Sequence, residues 1–75
     1  MNVEVYSKDG CSYCVKAKQL LTNKKISYTE FKLGDEGIDR AFIQNKAGKA
    51  VSTVPQIFID GAHIGGYTEL VTYLR

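Results

Sequence analysis

Two cysteines separated by two residues, Cys11 and Cys14, constrain this chain more than any other feature of its sequence. A disulfide between them would close a very small loop, which removes little entropy from the unfolded chain and adds little stability. Disulfide-built small proteins carry four or more cysteines, and a structural zinc site needs four ligands. Only these two cysteines and His63 are present. Three alternatives remain: a redox pair, a catalytic thiol, or two cysteines that only pack.

Length and charge exclude several classes of protein. The chain has 75 residues, enough for one domain that we expect to span residues 1–75, and a hydrophobic share of 44 % allows it a core. The net charge of +2 is too small to indicate a nucleic acid as partner. No apolar run exceeds three residues, and the start of the chain lacks the basic and apolar regions of a signal peptide. We therefore expect a cytoplasmic protein without a membrane partner.

Hydrophobic periodicity predicts seven elements in the order β-α-β-α-β-β-α. They cover residues 2–7, 12–23, 26–33, 38–47, 54–59 and 62–64, followed by a last helix with Thr68 as its N-cap. The strand-helix-strand beginning implies a parallel pair joined by a right-handed crossover. Asp60-Gly61 is a strong hairpin signal and adds antiparallel pairing. The pattern predicts an α/β domain with a four-stranded mixed sheet and helices on both faces.

The same patterns predict the surroundings of individual side chains. In the second helix Ile38, Ala41, Phe42 and Asn45 share one face, and Gly48 follows where a left-handed cap is expected. The aromatic core candidates are Phe31, Phe42 and Phe58. The tyrosines expected to be half-buried are Tyr6, Tyr28 and Tyr73. The polar side chains expected to be solvated are Lys16, Lys18, Lys24, Lys25 and His63.

Cys11 lies where the first turn meets the first predicted helix. The backbone N–H groups of a first helical turn are unpaired and the helix dipole is positive there, so a thiolate is stabilised and its pKa falls. Lys8 and Lys16 add positive charge nearby. Cys14 follows one turn later on the inward face, within reach of the Cys11 sulfur. This placement favours an attacking thiol and a resolving thiol over two packed core residues.

Three motifs occur in a fixed order along the chain. They are Cys11-Ser12-Tyr13-Cys14 after Tyr6-Ser7-Lys8, Thr53-Val54-Pro55-Gln56-Ile57-Phe58-Ile59-Asp60-Gly61, and Gly65-Gly66-Tyr67-Thr68-Glu69-Leu70. Together they resemble a dithiol glutaredoxin of the thioredoxin superfamily over essentially the whole length. A single C-x-x-C is moderately specific, whereas the three motifs in this order are highly specific. The resemblance implies a thioredoxin-like fold.

The resemblance also implies an activity, that of a glutathione-dependent thiol-disulfide oxidoreductase. In that reading Cys11 attacks disulfides and glutathione mixed disulfides, Cys14 resolves the intermediate, and glutathione re-reduces the pair. The partners are then glutathione and disulfide-bearing or glutathionylated proteins, ribonucleotide reductase among them, and the protein is expected to be a monomer.

The resemblance places a glutathione site on nine residues. They are Lys8, Tyr13, Thr53, Val54, Pro55, Gly66, Tyr67, Thr68 and Glu69. The peptide bond before Pro55 is expected to be cis, with Val54 pairing to the backbone of glutathione. Gln56 is a weaker candidate for the glycyl carboxylate. Many family members have two acidic residues where this chain has Thr68 and Glu69, so only Glu69 remains to meet the glutathione amine.

Two other functions stay open at this point. Ser12 stands where the commonest glutaredoxin has proline, and serine variants include dimers that hold a [2Fe–2S] cluster with the first cysteine, here Cys11, and glutathione. Without such a dimer no metal is expected. A dedicated electron donor to ribonucleotide reductase that does not use glutathione would lack the third motif, so the intact segment from Gly65 to Glu69 argues against it.

Overall fold

Seven elements follow one another in the predicted order in the computed structural model, which describes all residues from 1 to 75. The strands are β1 (Val3–Ser7), β2 (Thr29–Lys32), β3 (Gln56–Ile59) and β4 (Ala62–Gly65). The helices are α1 (Ser12–Asn23), α2 (Arg40–Ala47) and α3 (Tyr67–Tyr73). None of the three helices has both the length and the apolar character needed to cross a membrane.

The four strands form one mixed sheet in the order β2-β1-β3-β4. β1 pairs in parallel with β2 and antiparallel with β3, and β3 pairs antiparallel with β4. Asp60 and Gly61 join the last two strands, with φ angles of 51° and 84°. Positive values at both positions are those of the type I′ turn, whose twist matches the flanking strands. The predicted sheet and hairpin are confirmed.

Side chains from β1 and β3 are buried on both faces of the sheet, because successive residues of a strand point to opposite sides. The cluster on the side of α1 and α3 consists of Val3, Val5, Ala17, Leu21, Ile57, Ile59 and Leu70. The cluster on the side of α2 consists of Tyr6, Ile43 and Phe58. The Tyr6 ring stacks on Phe31, with centroids 5.0 Å apart, and meets Phe58 edge-on at 5.5 Å. The predicted helices on both faces are confirmed.

β2 and β3 begin two or more residues later than predicted. β2 starts at Thr29 rather than at residue 26, because β1 pairs with it only from Glu4, which lies opposite Thr29. β3 starts at Gln56 rather than at residue 54, since Pro55 has no N–H to donate to a neighbouring strand. Both differences arise from the pairing partner and the available donors, which local periodicity does not report.

The predicted apolar face of α2 was wrong except at Ile38, which precedes the helix, is half-buried and packs against the cluster that contains Tyr6. The helix starts at Arg40, because the Asp39 side chain caps it by accepting a 2.8 Å hydrogen bond from the Phe42 N–H. The face of α2 that packs against the sheet carries Ile43, which is buried, and Ala47 one turn later. Phe42 lies off this face and is 41 % exposed. The cap at the other end was predicted correctly, because Gly48 has φ 75°. Ala41 and Asn45 are exposed as well.

The tyrosines divide differently from the prediction. Tyr6 is fully buried, because β1 is central and covered on both faces. Tyr73 is 51 % exposed at the end of α3, whereas Tyr28 is half-buried as predicted. Among the phenylalanines, Phe58 is buried and Phe31 is half-buried.

Substitutions in α2 test which face of the helix is buried. We expect Ile43→Ala to lower the free energy of unfolding by about 2–5 kcal/mol, because it opens a cavity in the core. Phe42→Ala should lower it by less, although it removes more atoms, since much of the Phe42 ring already lies in water. Urea unfolding of both variants measures the difference. A larger loss of unfolding free energy for Phe42→Ala than for Ile43→Ala would contradict the burial of Ile43 in place of Phe42.

Candidate active site at the start of the first helix

Cys11 is the N-cap residue of α1, with extended backbone angles of φ −99° and ψ 109°. Its Sγ accepts a hydrogen bond from the backbone N–H of Cys14 at 3.3 Å, so the sulfur satisfies one of the unpaired N–H groups of the first turn. The thiol also lies 3.5 Å from the carbonyl oxygen of Val54, to which it donates. The side chain is half-buried, and the sulfur therefore stands between a helix end and the loop before β3.

Cys14 is buried on the inner face of α1 with only 1 % of its surface exposed. Burial in apolar surroundings disfavours the thiolate and raises the pKa of Cys14 to about 11, with a further contribution from its hydrogen bond to Cys11. At neutral pH Cys14 is a protonated thiol close to the Cys11 sulfur. The two cysteines differ as the sequence predicted, one accessible at a helix end and one enclosed.

A groove of about 370 Å³ lies on one side of Cys11. Lys8, Tyr13, Thr53 and Val54 line it, all of them predicted site residues. Arg40, at the start of α2, lines the same groove and adds a second cation. Sequence reasoning missed Arg40, because only the packing of α2 against the sheet brings its first residue near Lys8.

A second cavity of about 290 Å³ continues past Tyr13 and Val54 to the start of α3. It is lined by Tyr13, Thr53, Val54, Pro55, Gly66, Tyr67, Thr68 and Glu69. The Tyr13 and Tyr67 rings lie 5.9 Å apart, and the Val54–Pro55 peptide bond is cis, as predicted. The linings of the two cavities together include all nine predicted glutathione-site residues.

The start of α3 differs from the prediction. Gly66 rather than Thr68 is the N-cap, and Glu69 accepts a 2.8 Å hydrogen bond from the Gly66 N–H through Oε1. Gly65, just before, has φ 125°, and a Cβ there would stand 2.8 Å from the Glu69 Cγ. Thr68 is exposed within the first turn and leaves its hydroxyl outside the cap. The carboxylate that takes over the capping role is the one expected to face the glutathione amine.

Two polar residues turn inward instead of toward solvent or the groove. Gln56 is only 6 % exposed and donates from Nε2 to the Thr53 carbonyl oxygen at 2.9 Å. It lines neither cavity, so its weaker candidacy as a glutathione contact has no support here. His63 is half-buried rather than solvated, with Nε2 2.6 Å from the Gln56 Oε1. Neither contact is visible in the sequence, because the partners come from different strands and loops.

A third cavity, of about 310 Å³, is lined by both Cys11 and Cys14. Lys18 and Glu30 line it together and form an ion pair at 2.8 Å, and the Ser7 hydroxyl donates to the same Glu30 oxygen at 2.6 Å. The hydrogen bonds from Lys18 and then Ser7 lower the pKa of Glu30. Lys18 was predicted to be solvated; it pairs instead because β2 places Glu30 beside α1.

A Cys-x-x-Cys pair whose first cysteine caps a helix beside a four-stranded mixed sheet defines a thiol-disulfide oxidoreductase of thioredoxin fold. Comparison with known proteins gives the family. The family model described as Glutaredoxin matches residues 3–64. Glutaredoxin 1 of Escherichia coli strain K12 is 42 % identical over 80 residues, which covers 100 % of this chain and 94 % of that protein.

Solved structures agree with the sequence comparison. The reduced glutaredoxin of Escherichia coli matches with a TM-score of 0.83 and 43 % identity, covering 99 % of this chain and 93 % of that one. A complex of buckwheat glutaredoxin with glutathione matches with a TM-score of 0.80 and 30 % identity, covering 97 % and 67 % respectively. The chain belongs to the glutaredoxin family, and it is a glutathione-dependent thiol-disulfide oxidoreductase.

The difference between the two thiols predicts their reactivity. In the folded protein at pH 7, iodoacetamide should alkylate Cys11 and leave Cys14 unmodified, because Cys14 is enclosed and its pKa is raised to about 11. Peptide mass mapping after brief labelling locates the modification. Labelling in denaturant is the control and should modify both residues. Equal labelling of both cysteines in the folded protein would contradict the assignment.

Proposed function

We propose that Cys11 is the nucleophile of this oxidoreductase. Its thiolate attacks the sulfur of a glutathione mixed disulfide, a Cys11–glutathione disulfide forms, and the substrate leaves as a thiolate that takes up a proton. The thiolate of a second glutathione then attacks the glutathione sulfur of this intermediate. Oxidised glutathione leaves, and the Cys11 thiolate is restored. The observation that supports this assignment is the placement of the Cys11 sulfur at the helix N-cap, where the Cys14 N–H donates to it at 3.3 Å.

We assign the resolving step to Cys14. When the substrate is a protein disulfide, the first attack leaves a mixed disulfide between Cys11 and one substrate sulfur. Cys14 loses its proton and attacks the Cys11 sulfur, the substrate leaves as a dithiol, and a Cys11–Cys14 disulfide remains for two glutathione molecules to reduce. The raised pKa of Cys14 keeps it protonated until that step. Deglutathionylation needs only Cys11.

The proposed glutathione position follows from charge and from free backbone groups. Glutathione carries two carboxylates and one amine, so a site needs donors at both ends and an acceptor at one. Lys8 and Arg40 lie at one end of the groove, and the first turn of α3 with Glu69 lies at the other. Between them the Val54 N–H makes no backbone hydrogen bond within the chain, and it remains available to an extended peptide.

We infer that disulfide-bearing and glutathionylated proteins are the substrates, with ribonucleotide reductase among them. We also infer that residues 1–75 act as one domain, as a monomer in the cytoplasm.

The alternative of a dimer that holds a [2Fe–2S] cluster rests on Ser12 alone. No group of three or more metal-ligating side chains exists in the structure, and Cys14 is enclosed. One chain thus offers a single accessible thiol, Cys11, to such a cluster.

Serine variants of the two cysteines separate the proposed steps. Cys11→Ser should abolish reduction of both a small glutathione mixed disulfide and a protein disulfide, because both begin with the Cys11 thiolate. Cys14→Ser should keep the first activity and lose the second. A coupled assay with glutathione, glutathione reductase and NADPH measures the first activity, and reduction of insulin disulfides measures the second. Loss of the mixed-disulfide activity in Cys14→Ser as complete as in Cys11→Ser would contradict these roles.

A change at Arg40 tests the proposed position of glutathione. Arg40→Gln should raise the KM for a glutathione mixed disulfide by about 3- to 10-fold at nearly constant kcat, the effect of about 1 kcal/mol from one partly exposed ionic contact. Arg75→Gln removes the same charge at the end of the chain and serves as the matched control with an unchanged KM. Equal KM values for Arg40→Gln and the unmodified protein would remove Arg40 from the site.

A further inference from the structure

His63, Gln56 and Thr53 are linked by a series of hydrogen bonds. The His63 Nε2 lies 2.6 Å from the Gln56 Oε1, and the Gln56 Nε2 donates to the Thr53 carbonyl oxygen at 2.9 Å. Gln56 is 94 % buried at the start of β3, where an unpaired amide would be costly. The proposed reaction gives neither Gln56 nor His63 a task.

The direction of each bond is fixed by chemistry. A backbone carbonyl only accepts, so the Gln56 atom beside Thr53 must be the NH₂ group and the atom facing His63 must be the oxygen. An amide oxygen also only accepts, so His63 must carry its proton on Nε2. The hydrogen bonds therefore run from the His63 N–H to the Gln56 amide oxygen, and from the Gln56 NH₂ group to the Thr53 carbonyl oxygen.

Thr53, where this series of hydrogen bonds ends, lies at the proposed glutathione site. Thr53 and Val54 line both of its cavities, and the Val54 carbonyl faces the Cys11 thiol at 3.5 Å. Neither residue belongs to a helix or strand. Side-chain bonds from Gln56 to the Thr53 carbonyl, and more weakly at 3.5 Å to its hydroxyl, therefore tether the loop that carries the glutathione-facing edge.

We propose that His63 and Gln56 are positioning residues that hold the Thr53–Val54 edge in its binding geometry and thereby set the affinity for glutathionylated substrates. The proposal rests on the proposed glutathione site and adds two residues that do not touch the substrate. A held edge loses less conformational freedom on binding, so the effect falls on KM and little on kcat.

The tether keeps its donor when His63 titrates. Neutral and protonated imidazole both present an N–H at Nε2, so the bond to Gln56 exists in either state. Around the ring lie Phe58, with its centroid 5.0 Å away, Lys49 after α2 and Glu69 of α3. Burial first, and then the charge of Lys49, lower the pKa of His63, while Glu69 opposes them.

Two variants of His63 separate the hydrogen bond from the packing of the ring. His63→Phe keeps an aromatic ring against Phe58 and removes the donor; it should raise the KM for a glutathione mixed disulfide about fivefold, with kcat within twofold. His63→Gln places an N–H near the position of Nε2 and should restore KM to within twofold of the unmodified protein. Thermal unfolding of both variants confirms that each is folded under assay conditions.

Gln56→Glu supplies a second test. A carboxylate accepts from His63 but offers the Thr53 carbonyl no donor, so this variant should raise KM as His63→Phe does. NMR gives a readout that needs no glutathione: the ¹⁵N shifts of His63 above its titration should show the Nε2–H tautomer, and the Thr53 and Val54 amide shifts should move in His63→Phe and return in His63→Gln.

The outcomes distinguish the positioning role of His63 from the proposed function. An Nδ1–H tautomer, or a KM in His63→Phe equal to that of the unmodified protein, overturns the positioning role. If the unmodified protein does not turn over glutathione mixed disulfides, the proposed function falls, while the tautomer and the Thr53 and Val54 shifts still decide whether His63 holds the edge.

Discussion

Antiparallel pairing of β1 with β3 is the contact on which the site depends. Tyr6 lies opposite Gln56 in this pairing, so the segment that leaves β1 toward Cys11 and the segment that enters β3 from Val54 meet at the same end of the two central strands. A register shifted by one residue would turn every buried side chain of the strand to the opposite face. The two clusters on the faces of β1 and β3 therefore fix the register, and the register brings the Cys11 sulfur to 3.5 Å from the Val54 carbonyl.

In the proposed mechanism the two cysteines perform different tasks, because their surroundings differ within a single helical turn. Cys11 lies outside the first turn and receives an N–H, whereas Cys14 lies inside on the face that packs against the sheet. The helix N-terminus favours negative charge, and the apolar interior opposes it. The proposed division into an attacking and a resolving thiol thus follows from where the first turn of α1 places each sulfur.

Sequence reasoning predicted what depends on local pattern. The order of elements, the Asp60-Gly61 hairpin and the placement of the two cysteines all follow from periodicity and short motifs. It failed where the partner is distant in the chain: Arg40 reaches the groove only through the packing of α2, and Lys18 pairs with Glu30 only because β2 lies beside α1. The buried face of α2 was missed because it is set by the packing of Ile43 and Ala47 against Tyr6 and Phe58 of the sheet, which are distant in the chain.

The junction at Gly65 restricts how this protein can vary. A side chain there would meet the Glu69 side chain at 2.8 Å, in addition to requiring φ 125°, which residues with a Cβ rarely adopt. Because Glu69 is also the residue that holds the Gly66 N–H, crowding at position 65 would displace the cap of α3 together with the carboxylate proposed for glutathione. In a library of substitutions, we expect replacements at position 65 to lose folding and glutathione binding together.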